Sequence, residues 1–238
     1  MTIYDLSKSI VGMLICQNGI SEIVRCIESV YPIVSEYYIM DGGSTDGTWE
    51  LLNKYKDIYN LSLYQHPYDE NGAQRNRLLE HVPKNTWVVN IDQDEALNHS
   101  VQQELPDFIT RIHPNLYTDF KRELPLTIHV PNLNFVQDIR HFDASHISFF
   151  ASKIFYNDRN LQFTQGYHCT IAYGNNDLEN TNVISPPESW AIFHYAHLDL
   201  DRVANVQKDN KSGKRKYSVE EWDISKKIIK PILERWLV

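Results

Sequence analysis

The chain has 238 residues with 31 acidic and 23 basic side chains, a formal net charge of −8. That length suits one large domain or two small ones, and 42% hydrophobic with 23% charged residues excludes a chain disordered throughout. No apolar run approaches the ~18 residues of a membrane span, and no secretion signal is visible at the N-terminus. The first apolar run, Ile10 to Cys16, ends in the turn signal Gln17-Asn18-Gly19. Ser21 is then expected to cap a helix whose apolar face is Ile23, Cys26, Ile27 and Val30, closed by Tyr31-Pro32. Tyr37 to Met40 is the second run, broken by Asp41-Gly42-Gly43-Ser44-Thr45-Asp46-Gly47-Thr48 before a helix carrying Trp49, Leu51, Leu52 and Tyr55. Leu61 to Tyr64 is the third, and Gly72 opens a helix through Arg75, Leu78 and Leu79 that ends near Pro83. Trp87 to Ile91 is the fourth, followed at once by Asp92-Gln93-Asp94-Glu95.

Short apolar strands alternating with helices imply βαβ units and an α/β fold whose parallel sheet is covered on both faces. Right-handed crossovers bring the loops after the strands to one edge, where ligands of open sheets bind. The polar clusters Gln17-Asn18, Asp41 to Asp46, Asp69 to Asn76 and Asp92 to Glu95 all fall there. Past residue 100, Pro106, Pro114, Pro125, Pro131, Pro186 and Pro187 are expected to break the chain into short pieces. Leu126 to Val130, Ile147 to Phe150, Lys153 to Tyr156 and Ser189 to Tyr195 read as strands, and Val219 to Leu237 as a helix kinked at Pro231.

Asp92 and Asp94 stand two residues apart in a loop, where both can reach one divalent cation directly or through water, and oxygen ligands suit Mg²⁺ or Mn²⁺. Asp41 to Asp46 joins glycines that admit a ligand to acids and hydroxyls at a helix start, with Thr45 or Asp46 also suited to capping that helix. It matches neither a calcium loop, since positions 43 and 52 are Gly and Leu, nor a dinucleotide or ATP phosphate loop. Arg75 is placed either to clamp a phosphate or to brace the Asp92–Asp94 loop. His194 offers an imidazole as a further metal ligand, with His197 as its alternative, and His168 a contact for an acceptor hydroxyl.

Charge is uneven: residues 1–119 hold 17 acids and 8 bases, whereas the stretch from Arg202 onward holds 10 bases and 5 acids. Nucleic acid is therefore not expected as a partner, and the basic C-terminal region suits an anion or a peripheral membrane contact. Lys208 to Lys216 is the segment expected to close over a diphosphate. Cys16, Cys26 and Cys169 have no zinc or CxxC spacing and are expected as reduced thiols in a cytoplasmic protein.

Residues 10–97 resemble the N-terminal half of family-2 glycosyltransferases, which have the GT-A fold. The resemblance rests on the first strand with its polar end, on Asp41 to Thr48, on Ala73-Gln74-Arg75-Asn76, and on Asp92-Gln93-Asp94 as the D-x-D. More faintly, Gly166-Tyr167-His168 is similar to the family's acceptor-side Gly-x-His segment, and His194-Tyr195 with Asp199 and Arg202 to its late His-Tyr element. The resemblance implies one domain over 1–238, a Rossmann-like, mostly parallel sheet flanked by helices. Residues 1–99 would hold the nucleotide sugar, 100–205 would form an irregular acceptor-side half, and 206–238 the basic loop and last helix. It implies inverting transfer from a nucleoside-diphosphate sugar to a hydroxyl of a glycan, lipid-linked or other acceptor, assisted by Mn²⁺ or Mg²⁺. Gln17, Asn18, Asp41, Gly43, Arg75, Asp92 and Gln93 would contact the donor, and Asp94 and His194 the metal. Many relatives carry Glu after the acceptor-side His, where this chain has Cys169. Asp143, His168 and Asp177, with Glu179 behind them, are the candidates for the proton acceptor. A non-catalytic nucleotide-sugar or saccharide-binding module on the same scaffold is the alternative.

Overall fold

The computed structural model describes residues 10–112, 126–136, 138–144, 147–149, 153–158, 161–166, 171–173, 182–195 and 229–231. The four apolar runs become β1 (Ile10–Cys16), β2 (Tyr37–Asp41), β3 (Leu61–Gln65) and β4 (Thr86–Asn90), alternating with α1 (Ile23–Val30), α2 (Thr48–Tyr55) and α3 (Asn71–Leu79). These strands pair in parallel in the order β3-β2-β1-β4. Ile10, Leu14, Tyr37, Ile39, Trp87 and Val89 join one dry cluster with Ile23, Cys26, Ile27 and Val30 of α1. Val11, Met13, Tyr38, Met40 and Val88 join another with Leu78 and Leu79 of α3. Burial on both faces is why β1, β2 and β4 are continuously apolar rather than alternating, whereas β3, at the edge, is only half-buried. Each fully buried aliphatic side chain contributes roughly 1.5–3 kcal/mol. Strand order reverses at β1, so the crevice over the carboxyl ends of β1 and β4 is the topological switch point.

Three expectations are corrected. Ser21 does not cap α1: the carbonyl of Gly19 accepts the N–H groups of Glu22 (3.0 Å) and Ile23 (2.9 Å), so the turn after β1 feeds the helix through its backbone. Pro106 does not break the chain but lies inside α4 (His99–Ile112). The buried stripe Val101, Leu105 and Ile109 packs α4 onto the first cluster, and tertiary packing of this kind outweighs a local helix breaker. Residues 229–231, expected within a helix, form a strand on an edge position, where a proline without an N–H is tolerated. The rest of 219–237 lies outside the described residues.

The second half adds β5 (Glu95–Leu97), β6 (Leu126–Ile128), β7 (Pro131–Val136), β8 (Asp138–Asp143), β9 (Ser148–Phe149), β10 (Ile154–Asn157), β11 (Leu161–Phe163), β12 (Ile171–Tyr173), β13 (Asn182–Ile184), β14 (Ile192–His194) and β15 (Ile229–Pro231). β10, β6 and β13 extend the central sheet beyond β4, and β10 runs antiparallel to β4. A second sheet runs β15-β8-β7-β14-β5, with β9 on β7. β11 and β12 form a two-stranded sheet. Leu161, Phe163 and Ile171 on these strands join the α3 face of the core. Two of these additions shape the site. Because β10 is antiparallel, its first residues lie at the carboxyl edge of β4, where the Asn90 N–H bonds the Lys153 carbonyl at 2.7 Å. β5 starts directly after Asp94, and β14 pairs with it so that His194 stands opposite Glu95.

Candidate active site

The loops that leave β1 and β2 are hydrogen-bonded to each other along their length. Asn18, in the left-handed region at φ 51°, accepts the Thr45 N–H on its side-chain oxygen at 2.8 Å and donates its own N–H to the Ser44 hydroxyl at 2.9 Å. The Gly19 N–H donates to the Thr48 hydroxyl at 2.9 Å, and the Ile20 N–H to Asp46 Oδ2 at 3.0 Å. The N-cap of α2 is Gly47 rather than Thr45 or Asp46, and Asp46, one residue earlier, accepts the N–H and the hydroxyl of Thr48 on Oδ1. Asp41 is wholly buried. Its Oδ1 accepts the N–H groups of Gly43 and Ser44 at 2.9 Å and the Gln65 amide at 3.1 Å, while Oδ2 accepts the Ser44 hydroxyl. The carboxylate thus holds the turn through Gly43, whose φ of +85° suits glycine and whose outward side is open.

The loop after β4 is joined to the same rim. The Gln17 N–H donates to Gln93 Oε1 at 2.9 Å, and the Gln17 amide donates to the Gly42 carbonyl at 3.0 Å. Asp92 to Glu95 closes as a turn, the Glu95 N–H bonding the Asp92 carbonyl at 2.9 Å. Asp92 is gripped on both oxygens: Arg75 of α3 bonds Oδ1, and the Lys153 ammonium bonds Oδ2 at 2.9 Å. The same ammonium bonds Glu95 Oε2 at 2.6 Å, and that oxygen also accepts the Asp92 N–H at 2.8 Å. Asn132 of β7 donates to the other Glu95 oxygen at 2.6 Å. Three acids and two permanent cations therefore meet in one turn.

Burial pushes the Asp92 carboxyl up, but the Lys153 ammonium and the Arg75 guanidinium outweigh it and hold it below the usual carboxylate range. For Glu95 burial prevails and the carboxyl is raised, even with Lys153 opposing. Burial would lower the Lys153 ammonium, yet Asp92 and Glu95 together raise it, so it stays charged. His194 Nε2 lies 3.4 Å from Asp94 Oδ2, and its Nδ1 is 2.5 Å from the Asn134 side-chain oxygen. Burial pulls the imidazole down, and the Asp94 carboxylate more than reverses that. The Tyr195 N–H also donates to the Asp94 carbonyl at 2.9 Å, so β14 pins this residue by backbone as well as by ring.

Asp94 and His194 supply one oxygen and one nitrogen donor. The carboxylate suits a hard cation and the imidazole a softer one, and two donors leave the remaining ligands to phosphate or water. Among the described residues no group of three or more His, Cys, Asp or Glu is arranged to hold a metal alone.

The rim thus gathers Gln17, Asn18, Asp41, Gly43, Arg75, Asp92, Gln93, Asp94 and His194 from the sequence expectation. Arg75 braces the Asp92–Asp94 loop, one of its two expected placements. Asp143 is buried at the end of β8, opposite Ile229, with β7 standing between its strand and that of His194. His168, Asp177, Cys169, Glu179, His197, Asp199, Arg202 and Lys208 to Lys216 lie outside the described residues. Cys16 and Cys26 are buried free thiols. Sequence reasoning placed Glu95 at the rim without giving it a part, and missed Lys153, Asn132 and Asn134. The one available signal was a charged residue directly before the apolar Ile154-Phe155-Tyr156.

Residues 13–170 match the glycosyl transferase family 2 model. A stretch of 99 residues is 33% identical to the lipopolysaccharide core biosynthesis glycosyltransferase LpsC of Rhizobium meliloti (strain 1021), covering 41% of this chain and 36% of that protein. Another of 119 residues is 28% identical to an uncharacterized glycosyltransferase of Rickettsia bellii (strain RML369-C), covering 50% of this chain and 39% of that one. The chain thus spans well under half the length of these curated relatives. Staphylococcus aureus TarS superposes with a TM-score of 0.53 at 14% identity, covering 90% of this chain and 41% of that chain, a likeness of fold. Among the described residues no helix is long and apolar enough to cross a membrane. The family match covers more than half of the chain and contains every rim residue except His194, and this chain belongs to glycosyl transferase family 2.

Proposed function

We propose that the chain is an inverting glycosyltransferase that moves a sugar from a nucleoside diphosphate to a hydroxyl of a glycan or lipid-linked acceptor. One observation carries this reading: the loops after β1, β2 and β4 are hydrogen-bonded together at the switch-point edge, with Arg75, Asp92, Asp94 and His194 in their midst. Gln17, Asn18 and the open side of Gly43 form the wall that receives the nucleoside, and Asp41 fixes the shape of that wall. Asp92 faces the ribose, oriented by its two cations. Asp94 and His194 are the residues that would hold Mn²⁺ or Mg²⁺. When bound, that cation supplies positive charge to the departing diphosphate. A carboxylate or imidazole on the acceptor side takes the hydroxyl proton as the new C–O bond forms and the sugar–phosphate bond breaks. Direct displacement inverts the anomeric carbon.

The test uses UDP-, GDP- and dTDP-sugars with MnCl₂, read by thermal stabilisation and by release of the nucleoside diphosphate. The wild type is expected to be stabilised by one donor and to turn it over. Asp94→Ala should lower turnover by about 10² or more, with a lower melting temperature because the buried carboxylate is the partner of His194. A wild type that binds no donor overturns the proposal. Binding without turnover in the presence or absence of acceptors assigns the chain to the non-catalytic alternative.

A further inference from the structure

Lys153 is a nearly fully buried lysine at the reactive edge, with its side chain 5% exposed. Desolvating an ammonium is costly, and a buried ion pair seldom repays that cost in stability when an apolar pair of the same shape would serve. Its position is fixed from two directions. The backbone is tied to β4 by the Asn90 bond and by the pairing of Ile154 with Val89. The ammonium bridges Asp92 Oδ2 and Glu95 Oε2, the two carboxylates that bracket the turn. Because Glu95 Oε2 also takes the Asp92 N–H, one ammonium sets both the side chain and the backbone of Asp92. Asp94, between these two acids, is carried with the turn.

We propose that Lys153 is a positioning residue for the donor site: it holds the Asp92–Glu95 turn in the geometry that receives the nucleoside diphosphate. The proposal rests on the transferase reading above. The competing role is plain charge balance, in which Lys153 only neutralises Glu95. The two separate in a Glu95→Gln background, where that charge is already gone. UDP, GDP and dTDP are titrated calorimetrically with MnCl₂ into the wild type, Lys153→Met, Glu95→Gln and the double variant, alongside thermal unfolding. The single Lys153→Met variant leaves two carboxylates facing each other and is expected to melt lowest. The double variant should regain melting temperature, yet bind the preferred nucleotide about tenfold or more below Glu95→Gln, the scale seen when a residue that orients a ligand-binding carboxylate is removed. Equal affinity in the double variant and Glu95→Gln overturns the positioning role and leaves the transferase reading standing. A wild type that binds none of the three nucleotides overturns both.

Discussion

Asp46 shows how one side chain near the rim serves the fold. Its two oxygens take the Thr48 N–H and hydroxyl on one side and the Ile20 N–H on the other, so it holds the first residue of α2 and ties the β1 loop to the β2 loop. Partial burial pushes its carboxyl up, but the Thr48 and Ile20 hydrogen bonds prevail and hold it below its ordinary value of 3.8. A carboxyl lowered in the folded state contributes stability above its unfolded value, and that contribution is lost as the pH falls through the folded one. Asp46→Ala is therefore expected to lower the unfolding free energy at pH 7 by about 1 kcal/mol. In urea titrations the gap between wild type and variant should narrow as the pH drops below 3.8. A gap that widens on acidification would contradict this account.

At the level of elements, what could be read from the chain depended on how locally each one is specified. β1, β2 and β4 are buried on both faces and stand out as apolar runs, while the edge strand β3 is half-buried and is marked by its apolar Leu61, Leu63 and Tyr64. α4 was concealed by Pro106, although Val101, Leu105 and Ile109 recur at the four-residue spacing of a helix. Weighing that stripe above the proline would have found it. β5 is three residues long and β15 is an edge strand, too short for any periodicity to register. Leu105 is fully buried in α4, and Leu105→Ala is expected to cost about 2–5 kcal/mol in chemical denaturation, through lost burial plus the cavity left behind. A cost under about 1 kcal/mol would mean that α4 packs on the sheet more loosely than described.

Across the whole molecule, the half of the site written on consecutive loops was legible and the half delivered by strand pairing was not. Asp92 and Asp94 follow a strand, Arg75 lies on the preceding helix, and His194 ends an apolar run. Lys153, Asn132 and Asn134 reach the same place only because β10 pairs with β4 and β7 with β14, pairings that no local pattern announces. The two halves are also clasped through α3. Asn76, beside Arg75, donates its amide to the Phe163 carbonyl at 2.9 Å and accepts the Phe163 N–H at 2.6 Å. Asn76→Ala leaves both backbone groups without that partner and is expected to cost about 1–3 kcal/mol, measured by denaturant unfolding. Hydrogen exchange at Phe163 should quicken in parallel; an unchanged rate would show that the clasp does not anchor β11.

The direction of β10 has an evolutionary reach of its own. Ile154 to Asn157 sit against Val89 to Thr86 one for one, so a single residue gained or lost inside that tetrad would swap its two faces and turn the ammonium away from the acids. Chain added to the connections between the elements from Glu95 to Lys153 leaves that register alone, since it only lengthens the detour. Descendants of this chain can lengthen those connections freely, whereas a length change within the tetrad would undo the placement of Lys153.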